Sequence, residues 1–502
     1  MQIRPHRFQV VNEIGQRQSL PNGAGAYDRM GQGKRFLFLG LGPEPGKLSE
    51  YFPAVKDAIF VESPEFWEQA DVDWKKSIPT SFTRINPEEI TREMARSCTV
   101  YRYKRNMRLF PSFWGPLWAR CALPHLTDIH SEEKPVLWLP GTETGLLMRE
   151  LDLAFRAEGW QVVRPELDRE AASVDLPWRL TKERPKLFLL VNFQGLDSYG
   201  GLHYLLREAG ARVAVWCVDN PFHLLTGVKS HYWKELDLFV TDDWFVEPLR
   251  RLGATSVHHL PLAVSPALFK DREAPVAQDL EDRLVFVGRS EFPQKKEFFA
   301  GVRLEQALWN EITPGLEQGV RPDFSWWLER MNLGPVWPGN EVRRAGFMAE
   351  ETGRAWRALC LKEAGPELTV FGDENWKALL DRGVDVRPPV DYYGALPSVY
   401  ARAAACLNMT SPLLPHGLTQ RHFDVWAADG FLITDRTPGL EIFPQELVEP
   451  IVFDKPSEIP EIFARFRSPA SRAMLTKAWK GHILAEHTYS RRVRRVLNRL
   501  GL

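Results

Sequence analysis

The sequence predicts an α/β protein built from two Rossmann-like lobes with a cleft between them, preceded by a further α/β region. Three apolar runs, each closed by a glycine-containing turn, carry that expectation. They are RFLFLGLGPEPG from Arg35 to Gly46, VLWLPGTETG from Val136 to Gly145, and RLVFVGRS from Arg283 to Ser290. A parallel strand buried on both faces reads as a continuous apolar run, and glycine permits a tight turn into the following helix. The length agrees, since 502 residues exceed what one hydrophobic core usually serves. We therefore expect an accessory α/β domain at 1–130, a first lobe at 131–275 and a second lobe at 276–502.

The first region is the hardest to read. GLGPEPG spaces its glycines as G-x-G-x-x-x-G, one place late for a dinucleotide fingerprint, and its two prolines remove backbone donors that a phosphate needs. A structural or partner-docking role is the primary expectation, and a vestigial nucleotide or methyl-donor site the alternative. Glu62, after the apparent strand in IFVESPEF, stands where a ribose-binding acid would sit.

The second region alternates regularly. LLMRELDLAFRAEG has helical spacing and stops at Gly159, and QVVRPEL, KLFLLVNF, RVAVWCVDN and LDLFVTDD read as strands. GGLHYLLREAGA supplies a helix between two of them. The alternation predicts a doubly wound parallel sheet from about Lys134 to Ala274. The charged stretch 271–282 reads as an interlobe linker. The third region opens with LVFVGRS and is interrupted by a Trp-rich helical insert at about 300–365. It then resumes with ELTVFGD, DVRPPV, ACLNMT, GFLITD and EPIVFD, and ends in a basic amphipathic tail. The Trp-rich pieces DFSWWLERMNLGPVW and FPSFWGPLWARC read as packed core in preference to acceptor-binding surfaces.

Composition narrows the function. Lys plus Arg (64) nearly balances Asp plus Glu (65), so no net field favours nucleic acid or an anionic membrane. The five cysteines are too scattered for a zinc motif or a disulfide framework and fit a reducing, cytoplasmic setting. The N-terminus lacks the apolar stretch of a secretory signal, and no run approaches the ~20 residues that span a bilayer.

Candidate chemistry concentrates in the last region. In FVGRSEFPQKK a strand ends on Gly288 and Arg289, with Lys295 and Lys296 following; a glycine and fixed cations at a strand end suit a diphosphate. The competing reading is solvated basic residues at a strand end. In NMTSPLLPHGLTQRHFDVWAADGF, Thr410 and Ser411 precede a turn and then a helical segment carrying Asp424. The N–H groups of residues 417–420 would lie at that helix's N-terminus, with Arg421 adding charge. His416 and Asp424 stand eight apart, about two helical turns, and so would face one ligand from its two ends. Alternatively His416 caps a turn and Asp424 satisfies a local backbone group. A strand ending at Gly372–Asp373 and the turn from Arg387 to Tyr393 would hold a nucleobase, or would simply be core.

In this order, FVGR, FGD, SPLLPHGLTQRHFDVWAADGFLITD and HTYSRRV resemble the CgeB-like glycosyltransferases, whose C-lobe is similar to retaining GT-B enzymes. LPGTETGLLMRELDLAFRAEGWQVV, VAVWCVDNPFHLL and LGATSVHHLPLAVSPALF extend the resemblance to about residues 134–495. The resemblance implies a GT-B fold and sugar transfer from a nucleoside-diphosphate sugar to a glycan, protein or small-molecule acceptor, without a cofactor or bound metal. It implies Arg289 and Lys295 on the diphosphate, with Lys296 as substitute, and N–H groups of Gly417, Leu418 and Thr419 on the same phosphates. Asp424 would hold the ribose. The family's E-x7-E pattern is here His416-x7-Asp424, so the residue nearest the sugar departs from it. On the acceptor side, Asp219 would orient or deprotonate the acceptor beside Asn220 and His223, and Gly141 to Gly145 would approach the donor across the cleft. Asp219-Asn220-Pro221 is also a plain strand-to-turn signal. Two rivals are a GT-B-shaped sugar-nucleotide epimerase and a nucleotide- or glycan-binding assembly protein without turnover.

Overall fold

The computed structural model describes residues 8–126, 134–167, 172–270 and 274–502. The chain opens with an antiparallel hairpin, β1 (Gln9–Val11) and β2 (Arg17–Ser19). Five further strands build the first sheet: β3 (Tyr27–Met30), β4 (Arg35–Leu39), β5 (Ala58–Val61), β6 (Phe82–Arg84) and β7 (Cys98–Tyr103). Their order is β3-β7-β4-β5-β6, with β3 antiparallel and the rest parallel.

The N-lobe sheet comprises β8 (Val136–Trp138), β9 (Gln161–Val163), β10 (Leu187–Val191), β11 (Arg212–Cys217), β12 (Asp237–Val240) and β13 (Ser256–His259). It is wholly parallel, in the order β13-β12-β11-β10-β8-β9. The C-lobe sheet comprises β14 (Leu284–Val287), β15 (Leu368–Phe371), β16 (Asp385–Arg387), β17 (Ala405–Asn408), β18 (Leu432–Asp435) and β19 (Val452–Phe453). It too is parallel, in the order β16-β15-β14-β17-β18-β19. The protein therefore has the two Rossmann-like lobes of a GT-B fold plus an extra N-terminal α/β region. Every residue of β10 is buried, as its unbroken run of apolar side chains requires. Each such burial contributes roughly 2 kcal/mol against solvent exposure.

Two helices join the regions. Pro111–Ala122 lies against Gly201–Glu208 of the N-lobe, and a Cβ at Gly115 would run into the ring of Tyr204, so glycine sets that close approach. The long helix Val342–Glu363 has a dual allegiance: Val342, Ala345 and Met348 share a core with N-lobe Phe222, whereas Trp356 and Cys360 join the C-lobe core. The tryptophans near it are core residues, with Trp327 and Trp356 only 0% and 2% exposed. Part of the expected linker, residues 271–273, lies outside the described residues; beyond it Ala277 and Leu280 are buried.

The tail does not finish on the C-lobe alone. After the helix Pro469–Glu486 the backbone crosses back, exchanging bonds between Val264 N and His487 O (3.0 Å) and between Tyr489 N and Val264 O (3.1 Å). The last helix, Tyr489–Leu500, buries Val493, Val496, Leu497 and Leu500 and turns its arginines outward. Arg492 is the exception. It is 5% exposed and donates to Pro261 O (2.7 Å) and Leu262 O (3.0 Å), the carbonyls that end the N-lobe. Burial pulls its pKa down to about 10, which leaves it charged at neutral pH.

Arg492→Ala strands those carbonyls and should cost about 3 kcal/mol of stability, read as a lower midpoint in urea unfolding. An unchanged midpoint would refute the clamp.

Candidate functional site

Between the lobes lies a cleft of about 520 Å3, within the range of small-molecule sites. The N-lobe wall is the segment after β11. Asp219, Asn220 and His223 line it there, opposite Arg289, Glu350, Arg357 and Ser411 of the C-lobe. Arg289 and Ser411 follow β14 and β17, the neighbouring strands between which the C-lobe order reverses, and Glu350 and Arg357 come from the long helix Val342–Glu363. Open α/β sheets place ligands at such a point, outside the carboxyl ends of the strands.

Asp219 is held by a residue that the sequence reading missed. Asn192, just after β10, adopts a left-handed backbone with φ 56°, a region that Asn tolerates better than most residues. Its Oδ1 accepts the N–H groups of Val218 (2.8 Å) and Asp219 (3.1 Å), and its Nδ2 donates to the Asp219 carboxylate (2.7 Å). The cleft walls desolvate that carboxylate and raise its pKa, although the residue itself stays open to solvent at the cleft mouth.

Asn220 caps the helix Pro221–Leu225, as the turn-signal reading foresaw. Its Oδ1 accepts Phe222 N and His223 N, and its Nδ2 donates to Leu413 O of the other lobe (2.9 Å). It is thus a lobe-bridging cap with its polar atoms committed. His223 is buried among Phe298, Phe299 and Phe324, and a Cβ at Gly346 would collide with its ring. Burial drops its pKa to about 3, so it faces the cleft as a neutral ring.

On the opposite wall Arg289 is exposed and forms no ion pair among the described residues. Its turn is set from beneath: Ser290 N and Oγ both donate to Asp373 at 2.7 Å. Gly288 and Gly372 are packing glycines of this turn. A Cβ on Gly372 would strike Gly288 O, which already accepts the indole of Trp376. A second cation, Arg357, comes from the long helix and was not legible in the sequence; its Nη2 donates to Ser290 O (2.9 Å) while its Nε has no partner. Glu350, two turns earlier on the same helical face, is buried with a pKa raised by that burial and lies 3.6 Å from Arg357.

Several expected donor contacts are engaged elsewhere. Lys295 is buried and paired to Glu351 (2.5 Å) and Glu291 (3.5 Å), and Lys296 is exposed outside the cleft lining. Thr410 is locked by its N–H to Asp435 (2.9 Å), the carboxylate that Arg321 also grips. Gly417 N bonds Leu414 O, Thr419 N bonds His422 Nδ1, and Leu418 is core. The helix itself starts only at Arg421. Arg421 lies under the strand ends, donating to Asn408 Oδ1 (2.6 Å) and Val287 O (2.7 Å), its pKa lowered by burial. Gly141 has φ 135° and backs onto Met148 outside the cleft lining.

The eight-residue spacing does not bring His416 and Asp424 to one ligand. His416 sits in the preceding loop and turns to the N-lobe, its Nδ1 2.9 Å from Asp243 Oδ1 and its N–H on Asp242 (2.9 Å). The Asp243 bond raises its pKa. The ligand atoms of these three residues lie within 4.8 Å of one another, close enough for a metal, though their hydrogen bonds already account for the arrangement. Asp424 is 1% exposed and accepts Tyr392 OH (2.7 Å) and Gln420 Nε2 (2.9 Å). Beside it Tyr393 donates to buried Glu150 of the N-lobe (2.8 Å). Tyr392 and Tyr393 thus hold buried carboxylates in this structure.

Residues 349–498 match the family described as glycosyl transferase-like. That stretch is glycosyltransferase-like. It includes Glu350, Arg357, Ser411, His416 and Asp424 and stops short of Arg289 and Asp219. No curated protein matches the chain. Among solved structures, Anabaena HepE in complex with UDP and glucose is 8% identical with a TM-score of 0.44, over 74% of this chain and 100% of that one. T4 phage BGT with its UDP-glucose substrate is 10% identical with a TM-score of 0.41, over 74% and 100%. TarM is 10% identical with a TM-score of 0.36, over 62% and 54%.

Burial lifts the pKa of Asp424 to about 8, above its unfolded value near 4. The folded state then binds this proton more tightly, so stability on its account declines as pH rises from about 4 to about 8. Asp424→Asn should flatten that decline in denaturation series across the range. A variant with the wild-type slope would refute the shift.

Proposed function

We propose that the protein transfers a sugar from a nucleoside-diphosphate sugar to an acceptor hydroxyl in the interlobe cleft. The reading rests on one juxtaposition: the cations Arg289 and Arg357 stand on one wall and the braced carboxylate of Asp219 on the other. As the glycosidic bond breaks, negative charge develops on the departing diphosphate. Arg357, anchored on Ser290 O, and Arg289, without an ion pair among the described residues, supply the positive charge that stabilises it. Asp219, its pKa raised and its orientation set by Asn192, takes the acceptor proton as general base.

Within this scheme Ser411 contacts the donor beside the arginines, and His223 shapes the apolar part of the cleft. Hexosyl transfer, a glycan or protein acceptor, and guanidinium chemistry in place of a bound metal belong to the proposal, as does the CgeB-like relationship. So does a cytoplasmic setting; no helix of the described residues is long and apolar enough to cross a membrane.

Thermal shift against a panel of nucleoside diphosphates and their sugars tests the donor half. One nucleotide should raise the melting temperature of the wild type. Arg289→Ala, which breaks no hydrogen bond or ion pair among the described residues, should weaken that binding about 10- to 100-fold. Failure of every nucleotide to bind would sink the proposal. For the chemistry, Asp219→Asn should lower kcat by about 10² to 10⁴ with the donor KM held. Tight nucleotide binding without transfer or hydrolysis by the wild type would favour the assembly-protein reading instead.

A further inference from the structure

The N-terminal region has a site of its own. In its sheet β4, β5 and β6 run outward in one direction and β7 returns on the other side of β4. The order therefore reverses between β4 and β7, and a crevice opens outside the carboxyl ends of those strands. A cavity of about 940 Å3 occupies that position, roomier than the interlobe cleft. Glu44 follows β4, Asp71 stands beyond β5, and Arg105 follows β7. The amino-terminal hairpin and the loop after it form the roof, with Gln9, Ser19 and Asn22.

The chemistry of the walls selects the ligand. The glycine turn after β4 is closed to phosphate. Its carbonyls at Leu41 and Gly42 accept Tyr27 OH (2.6 Å) and the Trp74 indole (2.9 Å), and Leu41 N donates to buried Glu62 (3.0 Å). The space beside Gly42 is filled by Tyr27 and Tyr103, and Pro43 and Pro45 bring no N–H groups. Glu62, the acid in the ribose-binding position, thus braces the turn. The charge of the cavity balances: Lys47 neutralises Glu44 (2.7 Å), and Asp71 offsets Arg105, which has no ion pair among the described residues. Asp71 uses one carboxylate oxygen to cap Trp74 N (2.7 Å) and keeps the other. Gln9, Ser19 and Arg105 add donors and acceptors with no partner among the described residues.

The geometry points to a second ligand site here, for an uncharged polyhydroxylated ring. Mixed donors and acceptors with no net charge and no phosphate cradle recognise hydroxyl groups, whether on a saccharide or on a nucleoside ribose. The site stands apart from the donor cleft and does not rest on that reading.

The test uses the full chain on an array of neutral oligosaccharides, together with ligand-observed NMR against unphosphorylated nucleosides. Binding of a saccharide identifies a glycan site, and binding of a nucleoside a ribose site. Arg105→Ala and the space-filling Ser19→Trp should each lower the affinity about tenfold or more. The urea unfolding midpoint of both variants serves as the control for folding and should match the wild type. If no saccharide or nucleoside binds, or if Ser19→Trp binds as well as wild type, the site is refuted. Loss of the saccharide or nucleoside binding in Arg289→Ala would place the ligand in the interlobe cleft and refute it equally.

Discussion

A buried guanidinium placed on two backbone carbonyls joins the far end of the chain to its middle. Arg492 fixes the carbonyls of Pro261 and Leu262, where the N-lobe hands over to the C-lobe. Desolvating a cation is expensive unless several oriented acceptors receive it, so this contact tolerates little displacement. The last helix is held by it against the helix Met148–Ala157, where Arg494 also pairs with Glu158. The last helix thus returns from the C-lobe to the N-lobe, and its Val493 and Val496 join one core with N-lobe Leu137 and Leu151.

The cleft inherits its walls from that closure. The long helix Val342–Glu363 contributes to both cores, so Glu350 and Arg357 on its middle turns have defined positions relative to Asp219. Three further contacts cross between the lobes: Asn220 to Leu413, His416 to Asp243, and Tyr393 to Glu150. Each uses polar groups that would otherwise face a ligand or solvent. Arg289 stands exposed in the cleft without an ion pair among the described residues, while neighbouring residues hold the frame.

That division of labour explains which site residues were legible. Arg289 could be read because a strand, a glycine and an arginine are consecutive, and local chain geometry suffices to put the arginine at the strand end. Asp219 was legible for the same reason. Lys295 was misjudged because its partner Glu351 lies in another helix, and nothing local to QKK reveals an acid there. His416 was misjudged because its spacing from Asp424 was counted in helical turns; the helix begins at Arg421, and the loop before it carries His416 to Asp243 instead. Arg357 and Glu350 sit in a helix rich in charged residues, where only packing selects the face that meets the cleft. Asn192 was hidden at the end of an apolar run, because the glycine of its turn, Gly195, comes three residues later while Asn192 itself takes the left-handed backbone.

By itself the sequence determined the three α/β units, the parallel character of the two lobe sheets and the strand ends that face the cleft. Those follow from apolar runs, helical spacing and glycine turns, all of which act within a few residues. The tertiary structure alone decided which charges are available. Availability is a matter of partners, and the partners of Lys295, Thr410, His416 and Arg421 are 56, 25, 173 and 134 residues away along the chain. It also decided that the glycine turn of the N-terminal region is packed with tyrosine and tryptophan and offers no phosphate cradle. Periodicity reports whether a side chain turns inward; only the assembled core reports what it meets there.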